Sequence, residues 1–254
     1  MTKTVSSKNN DMEKRLLEHL LEEKNMKLKG GLYHHTQIEF AYNTNHIEGS
    51  KLTEDQTRYI YETNTISSNE NEAVNIDDIV ETKNHFRCFD YMLETADEKL
   101  SSGMIKEYHK LLKQGTSDSE KEWFKIGDYK LRPNIVGGIE TTEPKSVGIE
   151  MEKLLNMYNK KEKAEIHDII DFHYHFEKIH PFQDGNGRVG RLVMFKECLK
   201  NNIVPFVIKD KNKQFYYRGI KEYKKIEGYL KDTCLHEQDE YKKLLEYFNI
   251  STTT

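Results

Sequence analysis

The sequence predicts an all-α fold with one small β-hairpin. Apolar residues recur at the 3.6-residue spacing of amphipathic helices along most of the chain. Only four prolines occur in 254 residues, so long helices are seldom interrupted. The stretch 127–140 differs, because it combines glycine and proline with β-branched and aromatic residues, as hairpins do. A chain of this length suits one main domain, for which we expect residues 36–250, preceded by a helical extension over 1–35.

The composition is typical of a globular protein in water. Hydrophobic residues make up 36% of the chain, charged residues 32%, and the formal net charge is −4. This balance does not indicate a nucleic-acid partner, and no apolar run is long enough to cross a membrane. The N-terminus lacks an apolar signal region, and Cys88, Cys198 and Cys234 lie far apart, as reduced cysteines of cytosolic proteins do. We therefore expect a cytoplasmic protein with neither nucleic-acid nor membrane partners.

The first helices are indicated by glycine breaks and capping residues. A first amphipathic helix is predicted before the glycine pair 30–31, which interrupts the apolar pattern. The capping box Thr-Gln-Ile-Glu at 36–39 predicts the start of a second helix over 36–49, with a glycine placed at its end. Within that helix, Thr44 and Glu48 lie four residues apart and share one face.

The remaining helices follow from the same spacing. Thr53 and Gln56 form a second capping box, which predicts the start of a third helix. Apolar residues at helical spacing predict further helices around 79–92, 104–112, 147–158, 166–176, 192–199, 215–223 and 235–248. The predicted hairpin lies between the helices at 104–112 and 147–158.

A histidine, an aspartate and several glycines and arginines lie together between two predicted helices. Their order is His180-Pro181-Phe182-Gln183-Asp184-Gly185-Asn186-Gly187-Arg188-Val189-Gly190-Arg191. Pro181 biases His180 away from helical backbone angles, so the preceding helix is expected to end there. Apolar residues from Leu192 onward predict the next helix. The loop is therefore expected at the N-terminus of that helix.

The glycines and arginines of this loop suit a phosphate ligand. Gly185 and Gly187 allow positive φ angles and bring backbone N–H groups close to an anion beside a helix N-terminus. Arg188 and Arg191 are three residues apart on one helix face, and each guanidinium can donate paired hydrogen bonds to phosphate oxygens. The alternative is a glycine turn between solvated charges. We favour the anion site because all these residues stand in one register.

His180 and Asp184 add a base and a metal ligand. A histidine titrates near neutral pH and can accept a proton from a hydroxyl nucleophile. The carboxylate of Asp184 is a hard ligand suited to Mg²⁺, which commonly accompanies phosphates. These groups and the anion site are the parts needed for transfer from a nucleotide to a hydroxyl. His173 and His175 face different ways on a helix, and no cysteine or second histidine pair lies nearby at ligand spacing, so we do not expect zinc.

The loop matches every defining position of the motif His-x-Phe-x-(Asp/Glu)-Gly-Asn-Gly-Arg-x-x-Arg, and the chain thus resembles the Fic family from about residue 36 to 248. The resemblance implies an enzyme that moves AMP from ATP to a Ser, Thr or Tyr hydroxyl of a target protein, with Mg²⁺ and release of pyrophosphate. It implies that His180 is the base and that Asp184 holds Mg²⁺. The implied nucleotide contacts are Gly185, Asn186 and Gly187 in the anion hole and Arg188 and Arg191 on the phosphates.

Three further residues take expected roles from the same resemblance. Gly187 stands where one branch of the family has Lys and acts as a kinase, so glycine favours nucleotidyl transfer. Phe182 is expected to anchor the loop in the core. Tyr217 is a candidate adenine contact, with core packing as the alternative for this ring.

The segment Thr44-Asn45-His46-Ile47-Glu48-Gly49 resembles the inhibitory pattern of the family, Ser/Thr-x-x-x-Glu-Gly/Asn. The resemblance implies that Glu48 pairs with Arg191 and blocks productive ATP binding. It also implies the subgroup that carries an N-terminal inhibitory helix, here 36–49, in the same chain. The alternative is that Glu48 is an ordinary solvated helix residue.

The predicted hairpin 127–140 stands where the family has its flap. The resemblance implies that the flap, at Ile135, Val136 and Gly137, pairs with the backbone of the target protein. The alternative is a hairpin with a packing role only. The family often has Gly-x-Tyr-Arg here, whereas this chain has Lys130 after Tyr129, which leaves the detailed flap contacts open.

Two other functions are compatible with the same residues. The site could remove AMP from a modified protein, because Glu48 orients the attacking water in some relatives. The chain could instead be a nucleotide-binding regulatory or toxin module that acts mainly by interaction, although such a module needs no base at His180. The sequence leaves the target protein open, and the chain itself is one alternative. It also leaves open whether the nucleotide is ATP or another. The family favours a homodimer.

Overall fold

Helices make up nearly all of the regular structure. The structure is a computed structural model, and it describes residues 15–67, 73–137 and 139–251. In chain order the elements of these residues are α1 (Leu16–Met26), α2 (Leu32–Ile47), α3 (Glu54–Thr63), α4 (Ile76–Glu94), α5 (Ser102–Lys113), β1 (Ile135–Val136), β2 (Ile139–Glu140), α6 (Pro144–Tyr158), α7 (Ile166–Ile179), α8 (Asn186–Lys200), α9 (Lys213–Glu222) and α10 (Gly228–Tyr247). Short 3-10 turns occur at Ser117–Glu120 and Asp210–Asn212. The predicted all-α class is confirmed.

Helix α8 lies at the centre of the fold. Its residues from Asn186 to Leu199 are all buried, which requires neighbours on every side of the helix. Helices α2, α4, α5 and α7 pack against it. Helix α1 adds Leu16, Leu17 and Leu20 to the same hydrophobic core, while the predicted boundary between 1–35 and 36–250 stays a prediction. The chemically important loop before α8 therefore stands on a densely packed platform.

Helix α2 begins earlier than the capping box at 36–39 predicts. It starts at Leu32, and Gly31 is its N-cap residue. The N–H group of Tyr33, which has no partner within the first turn of the helix, donates to the carboxylate of Glu23 on α1 at 2.7 Å, so no capping threonine is needed. Thr36 is instead buried within the helix, where its hydroxyl lies 2.8 Å from the Tyr241 hydroxyl. The helix ends at Ile47, close to the predicted end, and Glu48 is its C-cap residue.

The hairpin is shorter than the predicted segment 127–140. Strands β1 and β2 contain two residues each and pair antiparallel, with Ile135 opposite Glu140 and Val136 opposite Ile139. Gly138 lies outside the described residues. Before β1, the backbone bonds to another part of the fold, because the N–H of Lys130 donates to the carbonyl of Pro181 at 2.9 Å. That first arm is thus held by the motif loop, and only the tip forms strands.

Two smaller predictions also have a structural outcome. The capping box of Thr53 and Gln56 is confirmed, since each side chain accepts a hydrogen bond from the other residue's N–H group at the start of α3. Cys88, Cys198 and Cys234 are buried free thiols. None of the helices among the described residues combines the length and apolar character needed to cross a membrane.

Candidate active site

His180 is placed by the end of α7. It ends that helix in a left-handed conformation, with φ of 51° and its N–H group bonded to the carbonyl of Phe176 at 2.9 Å. Left-handed backbone is uncommon for residues other than glycine, and it redirects the chain sharply before Pro181. The imidazole then lines a cavity with a side-chain exposure of 14%. Pro181 therefore stops the helix where the sequence predicts.

The loop between α7 and α8 is braced by its own side chains. The amide of Asn186 accepts from the N–H of Phe182 at 2.8 Å and donates to the Phe182 carbonyl at 2.9 Å. Gly185 adopts φ of 82° as the N-cap residue of α8, a conformation that glycine takes without strain. Phe182 is buried and stacks on His109 with ring centroids 4.0 Å apart, as expected of a core anchor. Asn186, expected in the anion hole, is seen here as a loop brace.

His109 is a structural partner of this loop that the sequence did not indicate. Its Nδ1 accepts from the N–H of Gly127 at 2.9 Å, so the ring proton sits on Nε2, which donates to the carbonyl of Asp184 at 3.2 Å. Burial and the nearby Lys113 lower the pKa of His109 to about 3, which keeps this arrangement at neutral pH. The residue lies on α5, and a lone histidine in a helical pattern offers no signal of such a contact.

Asp184 is an ionised carboxylate between two cations. Its Oδ2 lies 2.7 Å from Nζ of Lys113 and 3.1 Å from Nη2 of Arg188. Burial alone would raise the pKa of Asp184, but the charges of Arg188 and Lys113 outweigh burial and hold that pKa below its usual range. The side chain is 48% exposed, so an oxygen is accessible to a metal ion. The described part of the chain contains no group of three or more metal-ligating side chains, and the expected Mg²⁺ contact of Asp184 stays a prediction.

Arg188 is buried away from the cavity. It pairs with Glu81 on α4 and with Asp184, and its Nη1 lies 3.5 Å from the Asn45 side-chain oxygen. Among the residues that line the cavity, Arg191 appears and Arg188 does not. In this structure Arg188 therefore orients Asp184, and its expected contact with phosphates stays a prediction.

Arg191 is held by the end of α2. Its Nε donates to the hydroxyl of Thr44 at 2.7 Å, and its Nη2 donates to Oε1 of Glu48 at 2.5 Å. Arg191 itself is buried, while 29% of the Glu48 side chain is exposed. A Cβ atom at Gly187 would collide with the Glu48 carboxylate, which therefore stands over the motif glycine. The structure thus brings together Thr44, Glu48, Gly187 and Arg191.

These residues surround a cavity of about 460 Å³, within the size range of small-molecule sites. The walls come from the ends of α2 and α7, the start of α8, helix α9 and the flap. Its lining residues are Glu48, Val136, Gly137, Glu140, Thr141, Glu177, Lys178, His180, Gly187, Arg191, Tyr216, Tyr217, Ile220 and Lys221.

His180 and Glu177, which both line the cavity, have shifted pKa values that bear on proton transfer. Burial and the charge of Lys130 lower the pKa of His180 to about 4, so the imidazole is neutral at pH 7 and able to accept a proton. Burial raises the pKa of Glu177 to about 8, against the opposing effect of Arg191, so this carboxyl is largely protonated at pH 7. Glu177 Oε2 lies 3.9 Å from Nδ1 of His180. The helical pattern before the motif did not single out Glu177.

The flap residues and Tyr217 are accessible at the cavity edge. Val136 and Gly137 line the cavity, and Ile135 is 66% exposed. The ring of Tyr217 also lines it, and the Tyr217 hydroxyl donates to the carbonyl of Ile47 at 3.0 Å. Tyr217 thus ties α9 to the end of α2 as well as facing the cavity.

Comparison with known proteins matches the central part of the chain. The model of the Fic/DOC family matches residues 99–198. The protein adenylyltransferase Fic of Drosophila virilis is 25% identical over 189 residues, covering 72% of this chain and 37% of that protein. The protein adenylyltransferase Fic of Nematostella vectensis is 26% identical over 197 residues, covering 73% of this chain and 43% of that protein. The chain therefore spans well under half the length of these relatives.

Solved structures share the fold. A Fic domain-containing signalling protein from Bacteroides thetaiotaomicron has a TM-score of 0.67 and 24% identity, with 91% of this chain and 90% of that chain covered. A Fic family protein from Desulfovibrio desulfuricans has a TM-score of 0.70 and 21% identity, with 93% of this chain and 74% of that chain covered. Identities this low establish the fold alone. The family-model match over residues 99–198 and the complete motif at residues 180–191 thus make this chain similar to the Fic/DOC family, and the solved structures share its fold.

Proposed function

We propose that the chain is a Mg²⁺-dependent protein adenylyltransferase, which moves AMP from ATP to a Ser, Thr or Tyr hydroxyl of a target protein. The observation that carries this proposal is the convergence of His180, Gly187 and Arg191 on one cavity. In the described part of the chain, the buried Nη1 of Arg191 has no hydrogen-bond partner, and it lies beside Gly187. A buried guanidinium nitrogen without a partner is costly, so this corner suits a phosphate oxygen.

The chain's own residues supply a base and a phosphate clamp. Neutral His180 accepts the proton of the target hydroxyl while that oxygen forms a bond to the α-phosphorus of ATP. The bond from the α-phosphorus to the bridging oxygen breaks on the opposite side, and pyrophosphate leaves. Backbone amides near Gly185 and Gly187 and the guanidinium of Arg191 hold the phosphates in line. Catalysis of this kind depends mostly on positioning and charge neutralisation.

The residues around Asp184 fit a magnesium ion that arrives with the nucleotide. Asp184 is ionised and half-exposed, and Lys113 and Arg188 fix its position. The ion would supply positive charge that neutralises the phosphates. Asp184 would hold it from the protein side.

Glu48 inhibits this activity in our proposal. The carboxylate occupies a donor of Arg191 and stands over Gly187, where phosphate oxygens would bind. ATP then binds with its γ-phosphate displaced and its α-phosphate out of line with the target hydroxyl. A misplacement of about 1 Å can reduce a rate about a hundredfold. The inhibition therefore needs no change in the fold.

The flap is the proposed docking edge for the target. Its exposed residues Ile135, Val136 and Gly137 offer backbone groups with which an extended segment can pair. Such pairing selects backbone shape more than side chains. In this proposal the chain is cytoplasmic and forms a homodimer, its target protein is left open, and the chain itself is one substrate to test.

Incubation with Mg²⁺ and either α-labelled or γ-labelled ATP tests the proposal. Label from α-labelled ATP should enter the protein fraction, and label from γ-labelled ATP should not. Mass analysis of the chain itself would detect self-modification as a gain of one AMP. Incorporation of the γ label would make the chain a kinase, and binding of ATP without any transfer would favour a regulatory module.

Removal of AMP from a modified protein is the second candidate function. The observation that favours it is that Glu48 and His180 line the same cavity. A carboxylate at that place can orient a water molecule toward a bound phosphodiester. An AMP-modified protein incubated with the chain would then release AMP, and this release would disappear in the Glu48→Gly variant.

A further inference from the structure

Lys130 is a buried lysine at the base of the flap. Only 3% of its surface is exposed. Its ammonium group donates to the side-chain oxygen of Asn134 at 2.7 Å and to the hydroxyl of Thr141 at 2.6 Å. Both acceptors are neutral, whereas buried lysines are usually paired with carboxylates. Burying an ammonium group without a carboxylate partner costs free energy, so this arrangement indicates a role for Lys130 in the neighbouring site.

The hydrogen bonds of Lys130 connect the two flap arms to the motif loop. Asn134 precedes β1 and Thr141 follows β2, so the ammonium group bridges both arms. The N–H of Lys130 donates to the carbonyl of Pro181 at 2.9 Å, and the amide of Asn134 donates to the carbonyl of Phe182 at 3.2 Å. The flap is thus fastened to the residues that follow His180.

The same ammonium charge acts on His180. The charged and titratable groups around that imidazole are Lys130 from the flap, Glu177 from its own helix, Glu48 from the end of α2 and Asp184 from the motif loop. Burial lowers the pKa of His180 most, and Lys130 lowers it further, while Glu48 and Asp184 act in the opposite direction. Burial lowers the pKa of Lys130 to about 8, with Glu143 opposing, so Lys130 keeps its charge at pH 7.

We propose that Lys130 is a positioning residue, whose hydrogen bonds fasten both arms of the flap to the motif loop that follows His180 and keep its ammonium charge at that place. The significance of this role for catalysis rests on the proposed function. The two physical effects belong to the folded protein and can be measured without any turnover. The Lys130 cation would then link the position of the flap, where the target docks, to the protonation state of His180.

Three variants separate the two effects. Lys130→Met removes both the charge and the donors, Lys130→Arg keeps both, and Lys130→Gln keeps donors without the charge. The pH titration of the His180 imidazole is followed by NMR in each full-length variant, with His180→Ala identifying its signals. Amide hydrogen exchange of β1 and β2 reports how firmly the flap is held.

The titration should move in one direction only. Loss of the charge raises the pKa of His180, so Lys130→Met and Lys130→Gln should shift the midpoint upward by about one pH unit, and Lys130→Arg should not. In Lys130→Met the flap amides should exchange about tenfold faster than in the wild type, and Lys130→Arg should restore slow exchange. Should Lys130→Met not fold, Lys130→Gln still tests the charge, and Thr141→Val tests the flap.

Each of the two roles of Lys130 can be disproved separately. An unchanged His180 midpoint in both neutral variants would overturn the electrostatic role, and unchanged flap exchange in Lys130→Met and Thr141→Val would overturn the fastening role. Neither the His180 titration nor the flap amide exchange depends on the outcome of ATP labelling. Absence of labelling alone would therefore count against the proposed function and leave the role of Lys130 decided by the titration and the exchange.

Discussion

At the scale of single residues, His180 is the proposed base, and its side chain lines the cavity. Its environment is dominated by burial, which favours the uncharged imidazole at pH 7. A general base acts in the transition state and not in the binding of ATP. His180→Ala should therefore abolish labelling but change ATP affinity only a few-fold. Titration calorimetry with ATP and labelling with α-labelled ATP measure the two quantities. His175→Ala, a change on the exposed side of α7, is the matched control and should label like the wild type.

Glu177 makes stability depend on pH. Its pKa rises from 4.5 to about 8 on folding, chiefly through burial. Between those values the folded chain holds a proton that the unfolded chain releases, so the free energy of unfolding falls as pH rises. Glu177→Gln cannot titrate and should gain on the order of 1–3 kcal/mol relative to the wild type between pH 5 and pH 8.

Denaturant unfolding at both pH values measures that gain. The exposed Glu152 on the neighbouring α6 provides the control, because Glu152→Gln should follow the wild type at each pH. If Glu177→Gln and the wild type lost stability in parallel, Glu177 would be ionised in the folded protein.

At the scale of elements, the end of α2 carries the contact that we propose to be inhibitory. Thr44 adds a hydroxyl to the grip on Arg191, and Glu48 adds the charge. A neutral hydrogen bond contributes about 1 kcal/mol, so Thr44→Ala should raise the labelling rate about two- to fivefold. Thr53→Ala removes the cap of α3 and should lower stability by about 1 kcal/mol without changing the rate. Equal rates in Thr44→Ala and the wild type would limit inhibition to the Glu48 carboxylate.

Elements were predictable where their signals are local. Pro181 after His180, and Thr53 with Gln56, act within a few residues, and the structure follows them. The start of α2 was wrong because its capping group, Glu23, belongs to another helix. The hairpin was predicted too long because the N–H group of Lys130, early in the first arm, donates to the motif loop at Pro181 and not to the second arm.

The site shows the same division between local and distant signals. The residues of the motif lie close in sequence, so their common position before α8 could be predicted. Lys113, His109 and Lys130 reach the site from elsewhere in the chain, and only the folded structure shows their contacts. Arg188 shows the limit of helix geometry, because Glu81 on α4 turns it from the cavity.

At the scale of the whole molecule, the motif lies between a buried helix and a partly exposed side chain. The buried helix α8 holds the motif in place, while Glu48 extends over it from the end of α2. A change at Glu48 therefore leaves the core intact. This separation makes the proposed inhibition testable, because a single substitution at Glu48 removes the contact without unfolding the site.

The most direct measurement is the initial rate of labelling from α-labelled ATP for the wild type, Glu48→Gly, and Glu48→Gly combined with His180→Ala. Loss of one charged hydrogen bond to Arg191 should raise the rate of Glu48→Gly by roughly ten- to a hundredfold, and the double variant should show none. Glu39→Gly, on the same helix but paired with Lys209, is the control and should match the wild type. Equal rates for Glu48→Gly and the wild type, at matched folding stability, would contradict the account.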